Sequence, residues 1–368
     1  MDPKLFSPEA PGRLVPAPNK HRKPDTGFIP DPLPRAWTPP AATRALLDKA
    51  REAIGLLKEA GARCAAPDLA SELLQLREAI RSSASDRSLE ETQRLLAFGA
   101  GKGNAPKAWR EAFNYRRVLR EGHAAIAGGG ALPLRALIQR LHASLFQGRP
   151  LRSVFPGRLR RGPIQMGDLA HYVPPPYGWV VPCLTQLERD LARRSTIDPL
   201  VLAFMTHYQL TTIHPFADGN GRIARLLLGL MANAAAGLSP PLLYLGGFFA
   251  EHRRRYVAAQ FRVNTHGEWP VWIDFCLRGV IAEAGAAARA IGSLEALRKK
   301  FRSGALLDAL LAEPAFTGPQ FAALCARVGR DPVERLAHLE RTGIVRAGRA
   351  GIRTRWYIVP AALSLLTA

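Results

Sequence analysis

Apolar residues recur every three to four positions through most of the chain, and this spacing restricts the fold more than any other feature. It places the apolar side chains on one face of an α-helix, whereas a half-buried strand would need strict alternation. Two early stripes comprise Leu46, Leu47, Ala50, Ile54 and Leu57, and then Leu69, Leu73, Leu76 and Ile80. Further helices are predicted over 109–121, 134–145, 187–210, 222–236 and 256–280. The body of the chain is therefore predicted to be mainly α.

The first 40 residues are an exception, because eleven of the chain's thirty prolines fall within them. Proline lacks a backbone donor and clashes inside a helix, so we expect an extended, proline-rich arm over 1–40. A helical lead-in follows over 41–104, and the glycine-rich stretch GAGKGNAP ends it. We place a central domain at 105–295.

The last 65 residues form a separate pattern. Three short helical segments at 306–311, 320–328 and 332–341 precede GIVRAGRAGIRTRWYIV, which is typical of two strands joined by a basic turn. This order predicts a C-terminal winged helix-turn-helix domain at 300–368. Its arginines suit DNA, whereas Glu334 and Glu340 oppose phosphates, so protein docking and dimerisation stay open as alternatives. The arginines are Arg341, Arg346, Arg349, Arg353 and Arg355.

Composition excludes several classes of protein. The 368 residues carry a formal net charge of +21, which favours polyanionic partners. Cys64, Cys183, Cys276 and Cys325 lie far apart, so neither a zinc ribbon nor a disulfide scaffold is expected. The amino terminus lacks the apolar stretch of a signal peptide, and the longest apolar run, 226–238, is too short to span a membrane. We expect a cytoplasmic protein with no membrane partner.

One segment, IHPFADGNGRIARLLL, combines groups suited to phosphate chemistry. The glycines of residues 219–221 allow successive N–H groups to point at one spot, and a helix N-terminus there attracts an anion. Arg222 and Arg225 lie one turn apart and can reach the same polyphosphate. Asp218 supplies a hard oxygen ligand for Mg²⁺, and His214 is a candidate general base.

The stretch from His214 to Arg225 resembles the complete signature of the Fic family, HPFx[D/E]GNGRxxR. FNYRRVL at 113–119, GRLRRGPIQMG at 157–167 and the segment 242–280 resemble the family's core helices and substrate-docking flap. FIPDPLP at 28–34 resembles the amino-terminal arm of one subgroup, so the likeness covers roughly 25–290. The resemblance implies a Fic-type helical core with a small β-hairpin flap. It also implies transfer of AMP from ATP to a hydroxyl on a target protein.

The resemblance implies a role for each motif residue. His214 would deprotonate the target hydroxyl, and Asp218 would hold Mg²⁺ between the α- and β-phosphates. The phosphates would be held by the N–H groups of Gly219, Asn220 and Gly221 and by the side chains of Arg222 and Arg225. Family members often have a Tyr-Tyr pair followed by an asparagine, and here the pair reads Tyr256-Val257. Tyr256 and Asn264 are therefore candidate adenine contacts, with a packed tyrosine and a helix-capping asparagine as the structural alternative.

The flap and an inhibitory helix complete the resemblance. A target segment would pair with the flap edge through Ile164, Gln165 and Met166. The family's inhibitory pattern, [S/T]xxxE[G/N], aligns with Ser82 and Asp86, so a shorter aspartate stands where a glutamate would pair with Arg225. Autoinhibition is either weakened or lost, and a merely polar helix end is the alternative.

We therefore expect a protein adenylyltransferase that uses ATP and Mg²⁺ and modifies a Ser, Thr or Tyr hydroxyl on a target, self-modification included. A different donor, or removal of AMP, is the alternative within the same chemistry. The alternative from another class is a DNA-binding regulator whose Fic core senses a nucleotide. DNA bound through the winged helix and a homodimer are the other partners considered.

Overall fold

The computed structural model describes residues 1–17, 25–83, 107–127, 133–148, 155–164, 172–193, 195–301, 304–327, 329, 331–348 and 356–367. Most of these residues are helical, as the apolar spacing predicts. The helices up to the C-terminal region are α1 Ala41–Arg63, α2 Pro67–Ser83, α3 Lys107–Ala127, α4 Leu134–Leu145, α5 Val180–Ala192, α6 Pro199–Ile213, α7 Asn220–Ala236, α8 Gly246–Glu251, α9 Arg253–His266 and α10 Trp269–Lys300.

The helix expected over 187–210 is in fact two helices, α5 and α6. Pro199 starts the second because it lacks the N–H that a continuing helix needs. Asp198 caps α6, and its carboxylate accepts from the N–H groups of Leu200 at 2.8 Å and Val201 at 3.2 Å. This capped start separates α6 from α5, and His214 lies at the other end of α6.

The amino-terminal arm is extended, but it also contains strands that the sequence analysis did not predict. Strand β1, Gly12–Ala17, pairs antiparallel with β2, Asp25–Pro30, in a register that places Gly12 opposite Pro30. The ring of Phe28 is fully buried, and its N–H donates to the Val173 carbonyl at 3.0 Å. The arm is thereby fixed to the chain that precedes α5.

The prediction of a hairpin over 157–167 is wrong over 157–164, the part that the structure describes. Residues 155–164 contain turns and bends and no strand, while Gln165 and Met166 lie outside the described residues. The backbone N–H of Arg160 donates to the Pro215 carbonyl at 2.9 Å, so this segment bonds to the loop after α6 instead of to a neighbouring strand. Ile164 is half-buried at the end of the described part.

The C-terminal residues form the three helices expected there and a small sheet. Strand β5 is central, with β3 and β4 antiparallel on either side of it. A last helix, which the sequence analysis did not predict, follows the sheet. The elements are α11 Ala305–Ala312, β3 Ala315–Thr317, α12 Gly318–Arg327, α13 Pro332–Arg341, β4 Arg346–Ala347, β5 Trp356–Ile358 and α14 Pro360–Thr367.

The chain divides into two compact units. The first comprises Met1–Glu52, Arg117–Gly237 and Glu251–Ile281. The second comprises Ala53–Arg116, Leu238–Ala250 and Ala282–Ala368. The core of the first surrounds α6, where the buried Trp272 indole donates to the Phe204 carbonyl at 2.9 Å. In the second, α2 packs against α11 and α14.

None of the helices in the described part of the chain combines the length and apolar character that crossing a bilayer requires.

Candidate active site

A cavity of about 380 Å³ lies within the first unit, between the loop that starts α7 and the face of α9. The sequence-predicted residues of the motif meet here with the two candidate base contacts from α9. Those at the wall are His214, Asp218, Gly219, Asn220, Gly221, Arg222, Arg225, Tyr256 and Asn264. Val257, which stands where the second tyrosine was expected, also faces the cavity.

His214 ends α6 in a left-handed conformation with φ of 52°. Its Nδ1 lies 3.2 Å from the Thr211 carbonyl oxygen. Because a carbonyl only accepts, Nδ1 carries the proton and Nε2 keeps its lone pair. Burial lowers the pKa of His214 to about 4, so the ring is neutral at pH 7. A neutral imidazole with a free nitrogen is what a general base requires.

The loop between His214 and α7 is held rigidly. Gly219 has φ of 82°, and a Cβ there would lie 2.6 Å from the Phe146 ring, so only glycine fits. The buried side chain of Asn220 accepts from the Phe216 N–H and donates to the Phe216 carbonyl, both at 2.8 Å. Asn220 therefore braces the loop with its amide group, and its backbone N–H at the start of α7 is the group that it can offer to an anion.

Asp218 has a half-exposed carboxylate at the cavity wall. It accepts from the Gly219 N–H at 2.6 Å and lies 3.4 Å from the Arg222 guanidinium. The described residues contain no group of three His, Cys, Asp or Glu side chains that could hold a metal by themselves. A single carboxylate nevertheless fits Mg²⁺ that arrives with phosphates, since Mg²⁺ usually keeps waters and phosphate oxygens as its other ligands.

The far end of the cavity is built on a buried histidine that the sequence analysis did not single out. His207 Nδ1 lies 3.0 Å from the Ala224 carbonyl oxygen and must donate to it, so Nε2 accepts from the Tyr256 hydroxyl at 2.8 Å. Burial lowers the pKa of His207 to about 3, which keeps this arrangement neutral. The Tyr256 hydroxyl is therefore engaged with the protein, and the ring is what Tyr256 offers to a ligand.

Asn264 presents a hydrogen-bond donor to the cavity. Its Oδ1 accepts from the hydroxyls of Tyr208 and Thr212. The hydrogen bonds of Asn264 in the described structure use only Oδ1, which leaves Nδ2 available at a wall that the cavity reaches. A donor at this place can bind a ring nitrogen or a carbonyl oxygen of a base.

His142 is a second histidine that the sequence analysis missed. It is fully buried on α4, accepts from the Gly157 N–H at 2.9 Å, and donates through Nε2 to the Asp218 carbonyl at 3.1 Å. Its ring stacks on Phe216 at 3.9 Å, and burial lowers its pKa to about 4. Because it lies 72 residues before the motif in the sequence and forms no local pattern, only the fold reveals this contact.

The predicted regulatory residues are only partly described. Ser82 lies in the second unit, where its hydroxyl donates to the Glu78 carboxylate at 2.6 Å. The same buried carboxylate accepts from the Tyr115 hydroxyl and the Gly246 N–H, each at 3.0 Å. Asp86 lies outside the described residues, so its pairing with Arg225 stays a prediction.

Comparisons with known proteins match one family. Residues 133–232 match the model described as Fic/DOC family, and residues 44–124 match the model described as Fic/DOC family N-terminal. "Protein adenylyltransferase Fic" of Drosophila melanogaster is 36% identical over 89 residues, which are 24% of this chain and 17% of that protein. "Protein adenylyltransferase fic-1" of Caenorhabditis elegans is 44% identical over 69 residues, or 19% and 12% of the two chains. The similarity thus spans less than a fifth of these relatives.

Two solved structures show the same fold. A Fic family protein from Desulfovibrio desulfuricans G20 superposes with a TM-score of 0.56 at 17% identity, covering 89% of this chain and 98% of the other. Fic-1 from C. elegans superposes with a TM-score of 0.52 at 23% identity, covering 71% and 74%.

Proposed function

Since the chain is a Fic family protein, we propose that it is a protein adenylyltransferase that transfers AMP from ATP to a hydroxyl side chain of a target protein. One observation carries the proposal. A neutral His214 with a free Nε2 lies at the wall of the cavity that also contains Asp218, Arg222 and Arg225. This arrangement supports a general base and a polyphosphate site within one cavity.

In the proposed reaction, His214 Nε2 takes the proton of the target hydroxyl, whose oxygen attacks the α-phosphorus. The bond from that phosphorus to the bridging oxygen of pyrophosphate breaks as the new ester bond forms. Arg222 and Arg225 stabilise the negative charge that develops on the leaving pyrophosphate, with the N–H groups at the start of α7. Asp218 would hold Mg²⁺, which when bound neutralises phosphate charge.

The opposite end of the cavity suits adenine. The Tyr256 ring supplies an apolar face, Val257 adds a second apolar contact, and Asn264 Nδ2 can donate to a ring nitrogen. Phosphoryl chemistry of this kind depends on positioning, and a nucleotide fixed at both ends would keep its α-phosphorus beside His214.

Label transfer from [α-³²P]ATP tests the proposal, with the purified chain alone and with host lysate as the source of targets. We expect labelled protein with the wild type. Transfer by His214→Ala should be roughly 10²–10⁴-fold slower while ATP still binds. Wild-type transfer by His214→Ala would refute His214 as the base, and no transfer to any protein by the wild type would refute the activity. A screen of other nucleotide donors and of AMP-modified proteins distinguishes the alternatives within this chemistry.

A DNA-binding regulator is the second candidate function, and the order of the C-terminal elements favours it. A helix, a strand, two helices and two further strands follow one another from α11 to β5, with an antiparallel sheet of order β3-β5-β4. This is the order of a winged helix-turn-helix, in which α13 would be the recognition helix. Salt-dependent retention of the chain on duplex DNA tests this candidate, and lack of retention at low salt would contradict it.

A further inference from the structure

Arg160 is a buried arginine in the first unit, and its side chain is only 6% exposed. Its hydrogen bonds reach three consecutive carbonyls at the end of α6. Nε donates to the His214 carbonyl at 2.7 Å, a terminal nitrogen lies 3.4 Å from the Ile213 carbonyl, and the backbone N–H donates to the Pro215 carbonyl at 2.9 Å. The carbonyls of residues 213, 214 and 215 are thus all held by one residue.

These carbonyls surround the one strained residue of the site. His214 is the only non-glycine residue with positive φ among those that the structure describes, and such a conformation costs of order 1 kcal/mol or more. It persists only where the surrounding structure fixes it. The Arg160 guanidinium, a rigid planar fork, fixes the carbonyls directly before and at His214 and so sets where the imidazole lies.

The same guanidinium reaches the segment predicted to dock the target. It donates to the Gly162 carbonyl at 3.3 Å and to the Pro175 carbonyl at 2.6 Å. Arg160 therefore connects the backbone at Gly162 and at Pro175 to the backbone of the base. Among the described residues, its partners are carbonyls and no carboxylate, and burial lowers its pKa to about 10.

Arg160 also acts on the charge of His214. Burial is the main cause of the lowered His214 pKa, and the Arg160 cation lowers it further, whereas the Thr211 carbonyl and Asp218 raise it. A fixed cation beside the ring favours the neutral form, which is the form that can accept a proton.

We propose that Arg160 is the positioning residue of this site, which holds His214 in its left-handed conformation through the carbonyls of residues 213–215 and so sets where its imidazole lies. The proposal rests on the proposed function only in that His214 is the base. The structure alone supplies the contacts.

Two Arg160 variants and one control test the proposal. Arg160→Lys keeps a cation and loses the fork, Arg160→Met loses both, and Arg140→Met removes an exposed arginine of α4 in the same unit. The first measurement needs no activity: NMR titration of the histidine rings, with His214→Ala to assign the signal. We expect the pKa of His214 to be near 4 in the wild type and in Arg140→Met, and to be higher in Arg160→Met, where burial still keeps it below the ordinary value of 6.5.

The second measurement separates binding from transfer. In Arg160→Lys we expect the transfer rate from [α-³²P]ATP to fall at least tenfold, while the dissociation constant of ATP changes less than twofold. An unchanged transfer rate in folded Arg160→Lys, or an unchanged His214 pKa in folded Arg160→Met, would overturn the proposal. If Arg160→Met does not fold, the transfer rate of Arg160→Lys tests the proposal instead, and an unchanged rate overturns it. If the wild type transfers no AMP but the NMR result holds, the proposed function fails and the positioning role stands.

Discussion

At the scale of single residues, three histidines organise the site through fixed protonation. His142, His207 and His214 each have one ring nitrogen against a backbone carbonyl, which determines where the proton lies. Burial lowers the pKa of all three to about 3 or 4. Each ring therefore offers one donor and one acceptor at neutral pH. The rings of His142 and His207 use both in hydrogen bonds within the protein.

The hydrogen bond between His207 and Tyr256 leads to a prediction about the end of the cavity proposed to bind adenine. Removing its acceptor in His207→Phe should free the Tyr256 ring and weaken ATP binding by about tenfold, close to 1.4 kcal/mol. Tyr256→Phe should cost a similar amount, and the double variant should cost no more than either alone, because both remove one hydrogen bond. Calorimetric titration with ATP measures this, and inorganic tripolyphosphate is the control ligand, since it lacks a base. Additive losses, or an equal loss of tripolyphosphate binding, would contradict the coupling.

At the scale of elements, the end of α2 is attached by one buried carboxylate. Glu78 accepts from Ser82 one turn later, from Tyr115 on α3, and from the Gly246 N–H at the start of α8. A Cβ on Gly246 would lie 2.1 Å from the Ser82 hydroxyl oxygen, so the backbone of α8 approaches α2 closely enough to need glycine. The last described turn of the helix predicted to regulate the site is thus held by a buried carboxylate.

Glu78→Gln should destabilise the protein by about 1–3 kcal/mol, because one carboxylate oxygen becomes an amide donor and meets buried donors. Chemical denaturation measures the free energy of unfolding. Glu59→Gln is the matched control, since Glu59 forms an exposed ion pair with Arg63 on α1 and its loss should cost only a few tenths of a kcal/mol. Equal effects of the two substitutions would show that Glu78 does not anchor α2.

Asp86, three residues after the last described residue of α2, carries the regulatory prediction. If its carboxylate pairs imperfectly with Arg225, the longer side chain of Asp86→Glu should pair better and lower AMP transfer. Asp86→Gly should raise transfer about fivefold, equivalent to roughly 1 kcal/mol for an imperfect ion pair. Activation by several hundredfold would indicate strong inhibition in the wild type. No change in either variant would show that this helix does not regulate the site.

At the scale of the whole molecule, the first unit brings the motif loop and α9 together around one cavity, and it keeps several histidines neutral. Besides the three at the site, His123 on α3 has its pKa lowered to about 4 by burial. In the unfolded chain these rings bind protons once the pH falls below their ordinary pKa of 6.5. In the folded chain they stay neutral until the pH reaches about 3 or 4. Stability should therefore be greatest above pH 6.5 and fall as the pH decreases from there.

Denaturant unfolding at pH 7.5 and pH 5 measures this dependence. We expect the free energy of unfolding to decrease by about 2 kcal/mol per ring at pH 5, since pH 5 lies about 1.5 units below the ordinary pKa and each unit corresponds to about 1.4 kcal/mol. His207→Phe should reduce the decrease, because it removes one of the titrating rings. The same stability at both values would mean that these histidines are protonated in the folded protein.

The sequence by itself determined the helical body and the motif. Apolar spacing is a local property, so α2, α4 and α7 could be read from stripes such as the one through Leu69, Leu73 and Leu76. The motif is likewise local, because His214, Asp218 and the two arginines lie within one turn and one loop. Strands were predicted less well, since the pairing of β1 with β2 depends on residues that lie 8 to 18 positions apart.

Only the tertiary structure decided which distant groups support the motif. The sequence gives no reason to connect Arg160 with the carbonyls of 213–215, His142 with Asp218, or His207 with Tyr256, because each pair is 49 to 76 residues apart or lies on separate elements. It also could not show that the Asn220 side chain braces its own loop or that the segment before Ile164 bonds to Pro215 instead of forming a strand. Hydrogen bonds of buried polar groups depend on which backbone the fold brings within about 3 Å, and local sequence contains no record of that distance.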